Sequence, residues 1–229
     1  MAAGAFVAIV GASGCGKTTL LRAIAGLETA HEGTVALDGE PVRAPGPDRG
    51  VVFQDHRLLP WLSVADNTAL GLSALPAAER DERVRRALAL VGLTDFAGAW
   101  PAQLSGGMAQ RAAIARALAA RPRALLLDEP LGALDAITRL RMQTELERIW
   151  RVEKITMVMV THDVEEALLL GDTVVVMTPR PGRIKREHRI QLARPRDRES
   201  PVFQDLRRTL LVELELETPP PAVAGDYAI

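Results

Sequence analysis

Scarcity narrows this sequence before any motif does. Its one cysteine, Cys15, has no partner for a disulfide within the chain, which fits a reducing compartment. Aromatic residues reach only 3%, too few for a design that stacks successive bases. Neither sign of charge is in excess: 28 Lys and Arg face 29 Asp and Glu, so nothing global calls for a nucleic-acid partner. No apolar run approaches the roughly 20 residues that span a bilayer. Residues 2–15 are apolar and end Ala12-Ser13-Gly14-Cys15, which resembles a lipoprotein cleavage site, but the basic leader of such a signal is missing. No internal repeat is present, and His31, His56 and His188 lack metal-ligand spacing.

What remains is ordinary globular material. Hydrophobic residues make up 48% and charged residues 25% of 229. That length suffices for one α/β domain with a sizeable core, with or without a small subdomain. Residues 6–10 are almost wholly apolar, predicting a strand covered on both faces. A glycine-rich loop follows, then a helix over 17–25 stopped by Gly26. Residues 34–42 read as a hairpin turning at Asp38-Gly39, and 51–53 as another strand. From 57 to about 120 the pattern is helical, broken at Pro60, Pro76, Gly92 and Pro101. Strands return at 124–127 and 155–160, separated by a helix over about 136–153 on which Met142, Leu146 and Ile149 share a face. A short helix over 163–170 leads to a strand at 173–177. This alternation predicts a mainly parallel sheet with helices on both faces, carrying 57–120 as a helical insert. The segment 180–198 holds eight basic residues. Its simplest reading is a solvated edge strand and loop, with contact to anionic lipid headgroups as the other. A helix over 203–217 and a Pro-rich tail complete the chain. Trp61, Trp100 and Trp150 read as packing or interface residues.

Two motifs carry chemistry on their own terms. Gly11-Ala12-Ser13-Gly14-Cys15-Gly16-Lys17-Thr18 matches G-x-x-x-x-G-K-[ST] between a predicted strand and helix, with Thr19 in the helix's first turn. Glycines let the backbone wrap so that successive N–H groups face phosphate oxygens, and the helix N-terminus favours anions. Lys17 is expected to neutralise β- and γ-phosphates, and the Thr18 hydroxyl to sit on Mg²⁺. Cys15 then serves through its backbone. Leu125-Leu126-Leu127-Asp128-Glu129 is a buried strand ending in two acids, at the edge where parallel sheets bind ligands. Asp128 suits a hold on Mg²⁺, and Glu129 is placed to act on attacking water. Alone, this pair reads equally as a solvated acidic turn.

Leu104-Ser105-Gly106-Gly107 adds a second helix start, with Ser105 as a good N-cap, 88 residues beyond Lys17. By itself it is a capped helix. In context, Leu104-Ser105-Gly106-Gly107-Met108-Ala109-Gln110-Arg111 resembles the signature motif of ABC ATPases. Gly11 to Thr18, Gln54, Asp128-Glu129, Leu134-Asp135 and His162 are similar to that family's Walker A, Q-loop, Walker B, D-loop and switch histidine, in the same order. The resemblance covers about residues 5–178. It implies a P-loop NTPase fold, RecA-like, with the core at about 1–56 and 121–190, a helical subdomain at about 57–120 and a C-terminal extension at about 191–229. It implies ATP and Mg²⁺ as ligands and a head-to-tail dimer in which Ser105, Gly106 and Gly107 of one copy close over ATP held by Lys17 of the other. Gln54 would reach Mg²⁺ and the water, His162 would hydrogen-bond the γ-phosphate, and Asp135 would lie at the dimer junction.

The stretch from Phe53 to Val64, Met108, and Thr178-Pro179-Arg180-Pro181-Gly182-Arg183-Ile184 resemble bacterial importers of nitrate, sulfonate, taurine and related small anions. The implied partners are an integral membrane permease and, indirectly, a periplasmic solute-binding protein, with the chain peripheral on the cytoplasmic face of the inner membrane. The family also implies an aromatic upstream of Gly11 that stacks on adenine. Here ten residues precede Gly11 and Phe6 falls in the strand, so the expectation is a misassigned start or a shortened chain with weaker ATP binding. Related ATPases of DNA repair, chromosome organisation and translation are disfavoured: the 88-residue spacing leaves no room for a long coiled coil, and one cassette is present rather than two. A GTPase is disfavoured because no Asn-Lys-x-Asp occurs.

Overall fold

The structure, a computed structural model, describes residues 1–29 and 32–215. His31, residues 216–217 of the expected C-terminal helix and the Pro-rich tail lie outside the described residues.

Strand β1 (Phe6–Gly11) is buried along its whole length. The chain then runs through α1 (Lys17–Ala25), the two-residue strands β2 (Ala36–Leu37) and β3 (Glu40–Pro41), and β4 (Arg49–Val52). Three helices follow, α2 (Val64–Ala69), α3 (Ala77–Leu90) and α4 (Gly106–Ala119). Next come β5 (Ala124–Asp128), α5 (Ala136–Glu153), β6 (Thr156–Val160), α6 (Val164–Leu170), β7 (Thr173–Met177), β8 (Ile184–Arg189) and α7 (Pro201–Glu215).

The main sheet has the order β4-β5-β6-β1-β7-β8. Every pairing in it is parallel except β7 with β8. Period-2 alternation divides the strands' side chains between two apolar clusters. Val7, Ile9, Leu126, Val158, Val160 and Val175 face α1 with Leu21 and Ala25. Phe6, Ala8, Leu125, Leu127, Met157 and Val174 face the larger cluster, which continues through Val64, Val84 and Ile114 of the helical insert. Insert and sheet therefore share one apolar core.

Helix α5 buries Met142, Leu146 and Ile149, the stripe expected from their spacing. Burying each such side chain stabilises by about 1.5–3 kcal/mol. Helix α7 is anchored by Phe203 and Leu210, both buried, and Glu213 on it reaches His188 of β8 at 3.0 Å. Strand β8 is mostly exposed, as expected of a solvated edge. Its basic neighbours are spent internally: Arg194 donates to Leu170 O and Asp172, and Arg196 to Gly171 O. Trp150 packs on Phe6 at 6.0 Å and lies under the Arg194 guanidinium at 4.5 Å, whereas Trp61 and Trp100 are 67% and 48% exposed.

Several boundaries differ from expectation by a residue or two, and two of them bear on the site. Strand β4 covers 49–52 instead of 51–53, because its register is set by pairing with 124–127 of β5. Phe53 therefore leaves the sheet and Gln54 begins a loop. Asp163 lies outside α6 as its N-cap, accepting from the N–H groups of Glu165 and Glu166.

Candidate nucleotide site

The C-terminal ends of three adjacent strands place the site. Gly11 ends β1, Asp128 ends β5, and His162 lies two residues past the end of β6. Gly14 and Gly16 have φ of 74° and 102°, a left-handed backbone that an L side chain resists. Alternating such residues with right-handed ones turns successive N–H groups inward. Helix α1 has no side-chain cap at Gly16, so its first amides face the loop rather than a capping oxygen. Lys17 is only 6% exposed, and its ammonium donates to Gly11 O at 2.8 Å and Ala12 O at 3.0 Å.

Ser13, Gly14, Cys15, Gly16, Lys17, Thr18 and Thr19 line an open cleft of about 1390 Å³ together with Glu129 and His162. Glu129 has φ 45°, an unusual backbone for a carboxylic residue, which costs about 1–2 kcal/mol. Its N–H donates to Val160 O, and its Oε2 lies 3.2 Å from His162 Nδ1. The Thr18 hydroxyl donates to Asp128 Oδ1 at 2.9 Å. Burial holds the Asp128 carboxyl above the usual range; the Thr18 hydrogen bond offsets this in part, and neighbouring Glu129 adds to the rise. Gln54 lines an adjoining pocket of about 420 Å³ with His56, Gly106 and Gln110. Gly132 leaves room between it and the acid: a Cβ there would lie 3.5 Å from Gln54 Nε2 and 3.6 Å from Glu129 Oε2.

The expected signature residues and Asp135 lie outside the Lys17 cleft. Ser105, Gly106 and Gly107 do not line the Lys17 cleft. Ser105 caps α4, accepting from Met108 N at 3.3 Å. Asp135 also lies outside the cleft and caps α5 through Ile137 N and Thr138 N. The Thr138 hydrogen bonds hold its carboxyl below the usual range.

Sequence reasoning missed the turn after β7 as part of this site. Arg180, Gly182 and Arg183 line the cleft, and Arg180 Nε donates to Gly14 O at 2.9 Å. A Cβ on Gly182 would lie 1.9 Å from Cys15 O, so the turn sits directly on the phosphate loop. Pro181-Gly182 signals a turn, but nothing local says what that turn packs against. Arg116 was missed too: from α4 it donates to His56 O and Arg57 O at 2.8 and 2.7 Å, tying the loop after Gln54 to the helix that Ser105 caps.

A glycine-rich loop between β1 and α1, with an acidic pair ending a neighbouring strand of a mainly parallel sheet, is the arrangement of a P-loop nucleoside triphosphatase. The family described as "ABC transporter" matches residues 1–132. The aliphatic sulfonates import ATP-binding protein SsuB 2 of Burkholderia lata is 52% identical over 211 residues, covering 92% of this chain and 77% of its own. A dimeric post-hydrolysis state of an ATP-binding cassette bound to ADP and Pi matches at TM-score 0.71 and 34% identity, over 84% of this chain and 88% of that one. The structure of cbiO1 from Clostridium perfringens, part of the ABC transporter complex cbiONQ, matches at TM-score 0.77 and 27% identity, over 94% and 86%. The chain belongs to the ABC transporter family, as an ATP-binding subunit with ATPase activity.

Proposed function

We propose that this subunit hydrolyses ATP by in-line attack of water on the γ-phosphate inside a head-to-tail dimer of itself. Closure of that dimer drives import of a small anion, an aliphatic sulfonate or a related nitrate- or taurine-like solute, through separate permease subunits. The chain works at the cytoplasmic face of the bacterial inner membrane, and a periplasmic solute-binding protein delivers the cargo. Among the described residues no helix is long and apolar enough to cross a membrane.

One observation carries the hydrolytic part. Lys17, Glu129 and His162 converge on one cleft, while the signature segment on the same chain stays out of it. In the cleft, Lys17 and the loop amides bind the phosphates. Glu129 orients the water and takes its proton, and His162, 3.2 Å from that carboxylate, steadies it and reaches the γ-phosphate. Ser105 with its glycines is brought by the second copy.

The Thr18 hydroxyl and Asp128 carboxylate fit Mg²⁺: both are hard oxygen donors 2.9 Å apart, and the carboxylate is partly desolvated. Such an ion would offset phosphate charge.

Replacing Glu129→Gln is expected to lower turnover by about 10²- to 10⁴-fold while ATP still drives dimerisation, read by light scattering. Undiminished hydrolysis by that variant would remove Glu129 from the mechanism.

A further inference from the structure

Thr161 directly precedes His162, and both its N–H and its hydroxyl have partners. Its N–H donates to Ile9 O at 3.1 Å, holding it against the end of β1. Its hydroxyl accepts from Asp163 N at 3.0 Å and donates its single proton to Glu166 Oε2 at 2.8 Å. Glu166 is 4% exposed, on the side of α6 that faces the interior. Its other oxygen faces Arg139 Nε of α5 at 3.9 Å, a charge contact too long for a hydrogen bond, and the Gln143 amide adds to the pull on the carboxylate. Arg139 in turn donates to Leu134 O at 3.1 Å, the carbonyl just before Asp135. Gln143 is held from behind by Arg198.

A continuous line of polar contacts therefore runs from the 134–135 loop to the turn that carries His162. Stability alone is a poor reason for it. Burying a carboxylate costs several kcal/mol, and an ion pair this long returns little of that; a neutral side chain of the same volume would serve the fold as well. Burial pushes the Glu166 carboxyl above the usual range, and Asp163 pushes the same way, against the pull of Thr161, Arg139 and Gln143. What the charge adds is a shared anchor: it accepts from one hydroxyl and attracts one guanidinium at the same time, and each of these holds a loop of the site.

We propose that Glu166 is a positioning residue for ATP hydrolysis, fixing the His162 turn through Thr161 and tying it to the 134–135 loop through Arg139. The inference rests on the reading of His162 as the γ-phosphate contact and of Asp135 as a residue of the dimer junction. On that reading, the contact with the second copy and the contact with the reacting phosphate are set by one shared carboxylate.

The test is steady-state ATP hydrolysis by the full chain, with kcat normalised to folded protein and KM for ATP measured alongside. Glu166→Gln keeps the volume and an acceptor for Thr161 but removes the charge facing Arg139. It is expected to lower kcat about three- to tenfold, with KM within about twofold, because the phosphate loop is untouched. Glu166→Ala removes both contacts and lowers kcat by about 10²-fold, the scale of a misplaced catalytic group. Arg139→Met matches Glu166→Gln, and the double variant is no slower than the worse single, as members of one chain of contacts behave. Arg139 is about a third exposed, so its variant carries the test if Glu166→Gln fails to fold.

A merely structural role predicts a lower Tm with kcat per folded molecule within about twofold of the parent, or additive losses in the double variant; either result overturns the proposal. His162→Ala separates the two levels of the argument. If it abolishes hydrolysis while the Glu166 and Arg139 variants are unimpaired, only the positioning role falls. If His162→Ala is itself unimpaired, the reading of the site falls with it.

Discussion

The N-termini of α1 and α4 are built from similar material and do different things. Both follow small residues and both carry the positive end of a helix dipole. At α1 the preceding residue is a left-handed glycine with no side-chain cap, the amides face a large cleft, and a buried lysine sits beneath them. At α4 the preceding residue is Ser105, whose hydroxyl already takes Met108 N–H, and the glycines after it line no part of that cleft. The first end is a phosphate cradle as it stands. The second is capped by its own serine and, on the proposed reading, meets a nucleotide only in another copy of the chain. On the proposed reading, these two helix ends are the two halves of a composite centre, the second supplied by another copy of the chain.

Mixing experiments break this comparison most directly. Lys17→Ala and Ser105→Arg should each lower hydrolysis by about 10²-fold or more, since each removes a group proposed to meet the phosphates. Mixed together, they should recover roughly a quarter of the parent rate, because half of the dimers are mixed and one site in each is intact. Absence of any recovery in an ATPase assay would mean that the two helix ends never share a nucleotide.

A smaller effect separates the cradle from its support. Gly182→Ala places a methyl group on the Cys15 carbonyl, which the turn escapes only by lifting from the phosphate loop. This should cost about 1–3 kcal/mol of stability, seen as a Tm lower by several degrees, and should weaken ATP binding measured by titration. An unchanged Tm with unchanged affinity would show that the turn is not part of the cradle.

The smallest effect sharpens the contrast at α4. Ser105→Ala removes only a cap whose bond is already long at 3.3 Å, so stability should fall by about 0.5–1 kcal/mol in a denaturant titration. Hydrolysis should fall by a larger factor than that loss explains. Equal losses in the two measurements would reduce Ser105 to a helix cap.

The phosphate loop was legible residue by residue because its chemistry is local: eight consecutive positions set the turn, the amides and the lysine. The strands were legible for a similar reason, since a wholly apolar run of five or so residues between glycine and polar signals has few other fates. Strand β4 shows where this stops. Its ends are decided by a partner more than 70 positions away, and the apolar pattern at 51–53 does not contain that register. The Pro181-Gly182 turn, Arg116 and Glu166 escaped for the same reason. Each acts through a contact with a segment remote along the chain, Gly182 with Cys15, Arg116 with His56 and Arg57, Glu166 with Thr161 and Arg139. Glu166 and Thr161 are close in number, but the partner that gives the pair its direction lies on another helix.

The order of motifs along the chain thus determined the class of chemistry and the type of fold, because the spacing of glycines, lysine, acids and apolar runs acts over a few residues at a time. Tertiary structure alone decided that Gly11, Asp128 and His162 meet at one edge of the sheet, that Ser105 stays away from them, and that Glu166 links two loops beside them. Those outcomes depend on the lateral order of parallel strands and on which helix packs over which, and both are set by long-range burial that no short stretch of residues encodes.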